Sequence, residues 1–269
     1  SIILQNYPNL EYIIIDGNSS DNTQKIINKY KKYIFHFISE KDSGMYDAIN
    51  KGFKKSTGSI MAWSPTGDYY KPNSFYKIAK SFIENSEVKW ITSLFKIKCD
   101  EKGIEKDAYK IKGFNKKSFF YGFHFNNGPF YSKYMIQQQS TFWHRVLWIK
   151  SGSKMDDNMS GAGDFDLWAR FFNIGCKLYS LDSPLGVFMT HHDQESIKNI
   201  DLMKHDQYFS FKKNGGRTMS KIEFYLKKFM VRKLPVFNII FNLKFKFYLI
   251  CWKEESNSTE IKIKSQNLY

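Results

Sequence analysis

The feature that most constrains this chain is an apolar run closed by a carboxylate and followed at once by a turn and a helix. Residues 10–15 are apolar apart from Glu11 and end at Asp16, and Asn18-Ser-Ser-Asp-Asn-Thr23 then supplies turn and N-cap residues. Ile26, Ile27 and Tyr30 follow at helical spacing. The pattern continues with a strand at 33–39, a helix at 44–55 and a third strand at 59–63. Pro65-Thr-Gly67 breaks that strand just before Asp68. A helix at 73–85 and a strand at 88–95 extend the alternation. Strands and helices of this length predict an α/β fold with a mostly parallel open sheet flanked by helices. Such a sheet binds ligands at the carboxyl ends of its strands, where Asp16 and Asp68 fall.

Beyond residue 95 the pattern weakens. Residues 96–136 are rich in Lys, Phe, Tyr and Gly and read as loops and short strands over a site. Residues 141–151 read as a helix, 163–173 as a helix opening with Asp164, and 178–181 and 186–190 as short strands. We expect one domain over 1–200 and a basic, aromatic, helical extension over 201–269. Aromatics make up 18% of the chain, enough to fill a core or to line a sugar platform.

The formal charge of +15 allows a Lys-rich solvated surface, a nucleic-acid partner or an anionic membrane surface. No zinc-finger spacing, RNA-binding aromatic signature or basic heptad helix is present, so no nucleic-acid partner is expected. The basic and apolar mixture of 221–252 suits an anionic membrane surface or a helix packed on the main domain. Three dispersed cysteines indicate a reducing compartment, and we expect a cytoplasmic protein, with the inner face of the cell membrane as a peripheral seat. No stretch of about 18 apolar residues predicts a membrane span.

Each candidate site residue has a chemical and a structural reading. Asp16 can accept from a base N–H or a ribose hydroxyl, or it can be a turn residue. Ser19 shares its turn, where capping is the alternative. Asp42 and Gly44 form a second cluster with Asp47; Gly44 lets backbone approach a ligand, and Asp47 equally suits a first helical turn. Asp68 suits a divalent cation held against a diphosphate. Asp164 suits a general base acting on a hydroxyl, or an N-cap. His191 is a further metal-ligand candidate beside a structural role. Gln137-Gln-Gln139 and Ser-Thr-Phe-Trp143 offer amides and hydroxyls for sugar, or a loop-to-helix cap.

Assembled in order, these segments resemble a family-2 glycosyltransferase of the GT-A fold over about residues 5–196. The match rests on Asp16-Gly-Asn-Ser-Ser-Asp21-Asn-Thr23 and on Ser39-Glu-Lys-Asp-Ser-Gly44. It continues through Tyr46-Asp-Ala-Ile-Asn-Lys-Gly52, Gly67-Asp68, Gln138 to Phe142, Asp164 to Arg170, His191 and Ser196. The resemblance implies an inverting transfer from a nucleoside-diphosphate sugar, with uridine as the expected nucleoside. The acceptor would be a glycan or lipid-linked hydroxyl in cell-surface polysaccharide synthesis, such as lipopolysaccharide or capsule. Asp164 would be the base. Asp68 with His191 would hold Mn²⁺ or Mg²⁺. Asp16, Ser19, Asp42, Gly44 and Asp47 would form the nucleotide site, and Gln138 and Trp168 would lie near sugar or acceptor.

Two departures stand out. Gly67 replaces the first member of the usual acidic pair. The strand and helix that open the family precede the position of Ser1, so a chain beginning there is expected to have an incomplete sheet and weak or no activity. A non-catalytic remnant that binds nucleotide or a partner, and a sugar nucleotidyltransferase, are the competing readings.

Overall fold

The computed structural model describes residues 1–124, 135–191, 194, 198–220, 222–223, 225–226, 229, 246–255 and 258–267. In chain order the elements are β1 (Ile13–Asp16), α1 (Thr23–Lys29), β2 (His36–Ser39), α2 (Met45–Lys55), β3 (Ile60–Met61), β4 (Tyr69–Tyr70) and α3 (Ser74–Glu84). Then come β5 (Trp90–Ser93), β6 (Phe95–Cys99), β7 (Glu105–Lys110), α4 (Lys116–Phe120), β8 (Thr141–His144) and α5 (Arg145–Lys150). The chain continues through α6 (Gly163–Asn173), β9 (Tyr179–Leu181), β10 (Gly186–Met189), α7 (Ile200–Lys213), β11 (Lys246–Glu255) and β12 (Ser258–Asn267).

Among the described residues the strands form three sheets. β1 and β2 pair in parallel, with Asp16 opposite Ser39. A four-stranded sheet runs β4-β10-β6-β7, and a six-stranded sheet runs β12-β11-β9-β5-β8-β3. The pairing is mixed rather than mostly parallel. β5, β9 and β11 run parallel to one another, while β8 lies antiparallel to both β5 and β3. The expected helix over 141–151 is therefore half strand: Thr141–His144 pair across the sheet, and only Arg145–Lys150 is helical. The expected helical character of 201–269 also needs correction. Ile200–Lys213 is a helix, but Lys246–Glu255 and Ser258–Asn267 form an antiparallel hairpin. β11 joins the main sheet beside β9, and Leu249 and Ile250 are buried.

The tryptophans go largely into the core. Five of the six tryptophans, Trp63, Trp90, Trp143, Trp148 and Trp168, belong to one cluster with Phe53, Phe171 and Phe172. Trp168 lies between Trp90 and Trp63, stacked at 5.4 and 5.9 Å between centroids. Burial of each such side chain contributes about 1.5–3 kcal/mol. α6 runs through this cluster, with Phe165, Leu167, Trp168, Ala169, Phe171 and Phe172 all buried. A helix apolar on nearly every side is one enclosed by packing.

Asp166 is the polar exception on α6, and it is fully partnered. It accepts from Arg170 Nε at 2.8 Å and from Ser210 Oγ on α7 at 2.9 Å. A buried charge persists when paired and hydrogen-bonded in this way, and here it ties α6 to α7. No helix among the described residues is long and apolar enough to cross a membrane.

Candidate active site

The parallel pairing of β1 and β2 brings the first acidic group together. Asp16 is buried at the end of β1; its Oδ2 accepts from Ser39 Oγ at 2.6 Å and from the Ser19 N–H at 3.1 Å. Ser19 Oγ donates to Oδ1. Burial pushes the Asp16 carboxyl up, but the hydroxyls of Ser19 and Ser39 outweigh it and hold the group below the usual carboxylate range. Ser19 thus holds Asp16 in place. A carboxylate with about four lone-pair directions retains acceptor capacity after three such bonds.

Asp42 reaches the same place from the loop after β2. A Cβ on Gly17 would lie 2.8 Å from Asp42 Oδ2, so the side chain lies directly over the turn that follows Asp16. Asp42 Oδ1 accepts the Gly44 N–H at 3.0 Å. Gly44 has φ 120° and ψ 177°, a backbone state that L side chains rarely adopt, and it opens α2. Asp47 turns back on this loop. Its Oδ2 accepts the Ser43 N–H at 3.0 Å and pairs with Lys51 at 3.3 Å. The Ser43 N–H holds the Asp47 carboxyl low, so its geometry is that of a loop brace one turn from Asp42 and Gly44.

Asp68 comes just before β4, in a different sheet from β1. Its Oδ1 accepts the Met189 N–H at 2.9 Å, tethering it to the end of β10. Its Oδ2 is buried with no hydrogen-bond partner. Burial drives the carboxyl up to about 7, against the lowering by the Met189 bond. Ionising an orphaned buried oxygen is costly unless a cation meets it. His191, half-buried, follows Met189 by two positions. Among the described residues no group of three or more His, Cys, Asp and Glu converges as a metal cage. A cation that takes one or two protein ligands and completes its shell with phosphate oxygens and water does not require such a cage.

Asp164 sits in the first turn of α6 beside a small cavity. Phe119, His124, Ile136, Phe165 and Gln207 line that cavity with it, and Trp168 closes its inner side. Asp164 Oδ1 accepts the Phe165 N–H at 2.7 Å. Burial pushes its carboxyl up to about 6 despite that bond. A carboxylate poised there is ionised at neutral pH yet basic enough to share a proton.

Trp168 is 1% exposed, so it reaches the cavity only as part of its wall. Gln138 donates from Nε2 to the Trp63 carbonyl, in the segment that leads to Asp68. The stack of Trp63 on Trp168 then links that segment to α6. Sequence reasoning did not single out Ser39, Tyr46, Asn50 or His124. Ser39, Tyr46 and Asn50 stand inside quoted motifs, which was the available signal. His124 carried none: it is buried, bonded to Ser118 Oγ at 2.7 Å and set against Phe119.

The glycosyl transferase family 2 model matches residues 1–146. An uncharacterized glycosyltransferase of Rickettsia typhi is 21% identical over 210 residues, covering 77% of this chain and 63% of the relative. The chondroitin synthase of Pasteurella multocida is 22% identical over 214 residues, covering 77% of this chain and 20% of that protein. Among solved structures, a mannosyltransferase of Pyrobaculum calidifontis in complex with GDP-Man and Mn²⁺ superposes with a TM-score of 0.56 at 14% identity. That match covers 81% of this chain and 59% of the mannosyltransferase. The chain therefore spans less than two thirds of the length of each of these proteins, and the last likeness establishes the GT-A fold. With the family model covering more than half of its length, this chain belongs to glycosyl transferase family 2.

Proposed function

We propose that the chain transfers a sugar, with inversion, from a nucleoside diphosphate to an acceptor hydroxyl in polysaccharide synthesis. The observation that carries this reading is Asp164: a half-buried carboxylate beside an aromatic cavity, with its proton affinity raised to about 6. Asp164 takes the proton of the acceptor hydroxyl. The oxygen attacks the anomeric carbon from the face opposite the diphosphate as the bond to the leaving oxygen breaks. The proton remains on Asp164 and the nucleoside diphosphate departs. Asp16 and Asp42 accept from the nucleoside, Ser19 and Asp47 brace them, and Gly44 leaves room for close backbone approach. Gln138 and Trp168 shape the sugar side through Trp63.

Asp68, with His191, is the proposed place for Mn²⁺ or Mg²⁺, and the orphaned Asp68 Oδ2 supports it. When bound, the cation neutralises charge on the diphosphate. The mannosyltransferase in complex with GDP-Man and Mn²⁺ supports a nucleotide-sugar donor and a divalent ion, and the chondroitin synthase supports a glycan product. We further propose residues 1–200 as the transferase unit and 201–269 as its extension, working in the cytoplasm at the inner membrane face. A lipid-linked or glycan acceptor is consistent with exposed Ile222, Tyr225, Leu226 and Phe229 in a Lys-rich stretch.

Calorimetric titration of UDP and GDP with and without Mn²⁺, repeated on Asp68→Ala, tests the site. Metal-dependent binding that disappears in the variant is the expected result. Equal binding without metal, or in Asp68→Ala, overturns the metal assignment. The absence of binding by either nucleotide overturns the donor site.

A further inference from the structure

The motif Tyr46-Asp-Ala-Ile-Asn-Lys-Gly52 contains more than the proposed chemistry uses. Its aspartate braces the loop before α2, whereas the hydrogen bonds of Tyr46 and Asn50 run elsewhere. Both reach across the molecule. The Tyr46 hydroxyl accepts the Gly163 N–H at 2.8 Å, a contact 117 residues away in sequence. Asn50 Nδ2 donates to the Met155 carbonyl at 3.0 Å, and Asn50 Oδ1 accepts the Met155 N–H at 2.7 Å. Met155 is fully buried and Tyr46 is 4% exposed, so neither clamp is a surface contact.

The contact with Gly163 is close enough to need a glycine. A Cβ there would lie 2.7 and 2.8 Å from Tyr46 Cε1 and Cζ, inside any tolerable contact with a fixed ring. The Tyr46 oxygen also supplies something that α6 lacks. Ala162, at the N-cap, has no side chain to satisfy the first N–H groups of the helix. Tyr46 takes one of them from outside the helix, directly beside Asp164. The charges of Asp164 and, further off, Asp206 on α7 raise the phenol's proton affinity, after burial.

We propose that Tyr46 and Asn50 are positioning residues: they fix the segment that carries Asp164 onto α2, the helix that opens at Asp42 and Gly44. The base is thereby set relative to the donor loop by one rigid element. This inference rests on the reading of Asp164 as the base. The geometry supports it at three points. The two clamp residues lie four positions apart, so they share one face of α2. Their targets flank the loop that leads into α6. The tyrosine clamp ends on the residue next to Asp164. A displacement of about 1 Å at a reacting group can cost on the order of 10²-fold in rate, so such a strut has consequences for turnover and none for nucleotide contact.

The test reads Asp164 directly. Aspartate carboxyl ¹³C resonances are followed against pH in the full chain, and the Asp164 signal is assigned by its loss in Asp164→Asn. The titratable and charged groups around it are Tyr46 on α2, His124 in the cavity and Asp206 on α7. Tyr46→Phe keeps the ring that packs on Gly163 and deletes only the oxygen. The Gly163 N–H is then available to the carboxylate, and the midpoint should move down by about half a unit to one unit. Asn50→Ala serves as the second variant and should lower kcat by about tenfold with donor KM held within about twofold.

An unmoved Asp164 midpoint in Tyr46→Phe overturns the inference. So does a shift accompanied by lost nucleotide affinity and a lower melting temperature, which marks a general structural role. Failure of the underlying reading looks different. Transfer that survives in Asp164→Asn removes the base assignment itself, whatever Tyr46→Phe does.

Discussion

The two acidic ends of this molecule are built on opposite principles. At the end of β1, Asp16 is 6% exposed, yet it is ringed by hydroxyl and amide donors from Ser19 and Ser39 and stays ionised. At the start of α6, Asp164 has only nearby backbone amides as donors and a largely aromatic surround, and its carboxyl rises to about 6. Burial acts on both. What separates them is the number of donors that each neighbourhood supplies. Two carboxylates pushed apart in this way suit two tasks: a fixed negative acceptor that holds a ligand, and a base that exchanges a proton.

The largest expected effect breaks this comparison at its catalytic side. Asp164→Asn should lower transfer by about 10²–10⁴-fold while leaving nucleotide affinity within about twofold, measured by steady-state kinetics and calorimetry. The wild-type pH–rate profile should carry an acid limb near 6, with the rate falling about tenfold per unit below it. A flat profile down to pH 5 would remove the base from Asp164.

The next effect concerns stability, and the two aspartates differ in sign. The folded Asp164 carboxyl titrates above its unfolded value of about 3.9. Its contribution is therefore present in acid and is lost as pH rises from about 4 through about 6. Asp164→Asn should remove that loss and gain on the order of 1–2 kcal/mol near neutral pH relative to the parent, read by urea denaturation at pH 4.5 and 7.5. A variant less stable at pH 7.5 would contradict it.

Asp16 gives the opposite and smaller effect. Its folded carboxyl lies below the unfolded value, so its contribution is present above about 4 and is lost as pH falls through the depressed value. Ser39→Ala deletes one of its donors and should cost about 1 kcal/mol at neutral pH, with a narrower gap from the parent in acid. Equal loss at both pH values would show that the serine acts only through packing.

Much of this was legible in the residues because it is local. α2 and α6 begin and end within a residue or so of where Gly44 and Gly163 placed them, since turn residues and helical apolar spacing are short-range signals. Asp16 was legible as a strand-end carboxylate for the same reason, and Asp42 with Gly44 as a cluster just before a helix. Thr141-Phe-Trp-His144 was misread because a run of aromatic residues fits a helix or a strand, and only pairing with β5 and β3 decides it. The C-terminal hairpin did carry a signal. Ile261-Lys-Ile-Lys264 alternates with period two, a strand pattern inside a stretch whose basic and apolar mixture also suits a helix. Tyr46 and Asn50 were hidden for a deeper reason: their partners lie 117 and 105 residues downstream, and no local pattern announces a contact of that span.

That span also bears on the order of folding. The clamps from α2 onto Met155 and Gly163 close loops of more than a hundred residues, and chain entropy makes such closures late events. β1, α1, β2 and α2 can gather early through near neighbours, before the base-bearing helix has docked. A partly folded chain then has its acidic nucleotide end without its base. Competence for transfer arrives as a single late step, and native-state hydrogen exchange should find the amides of Met155 and Gly163 protected as one cooperative unit.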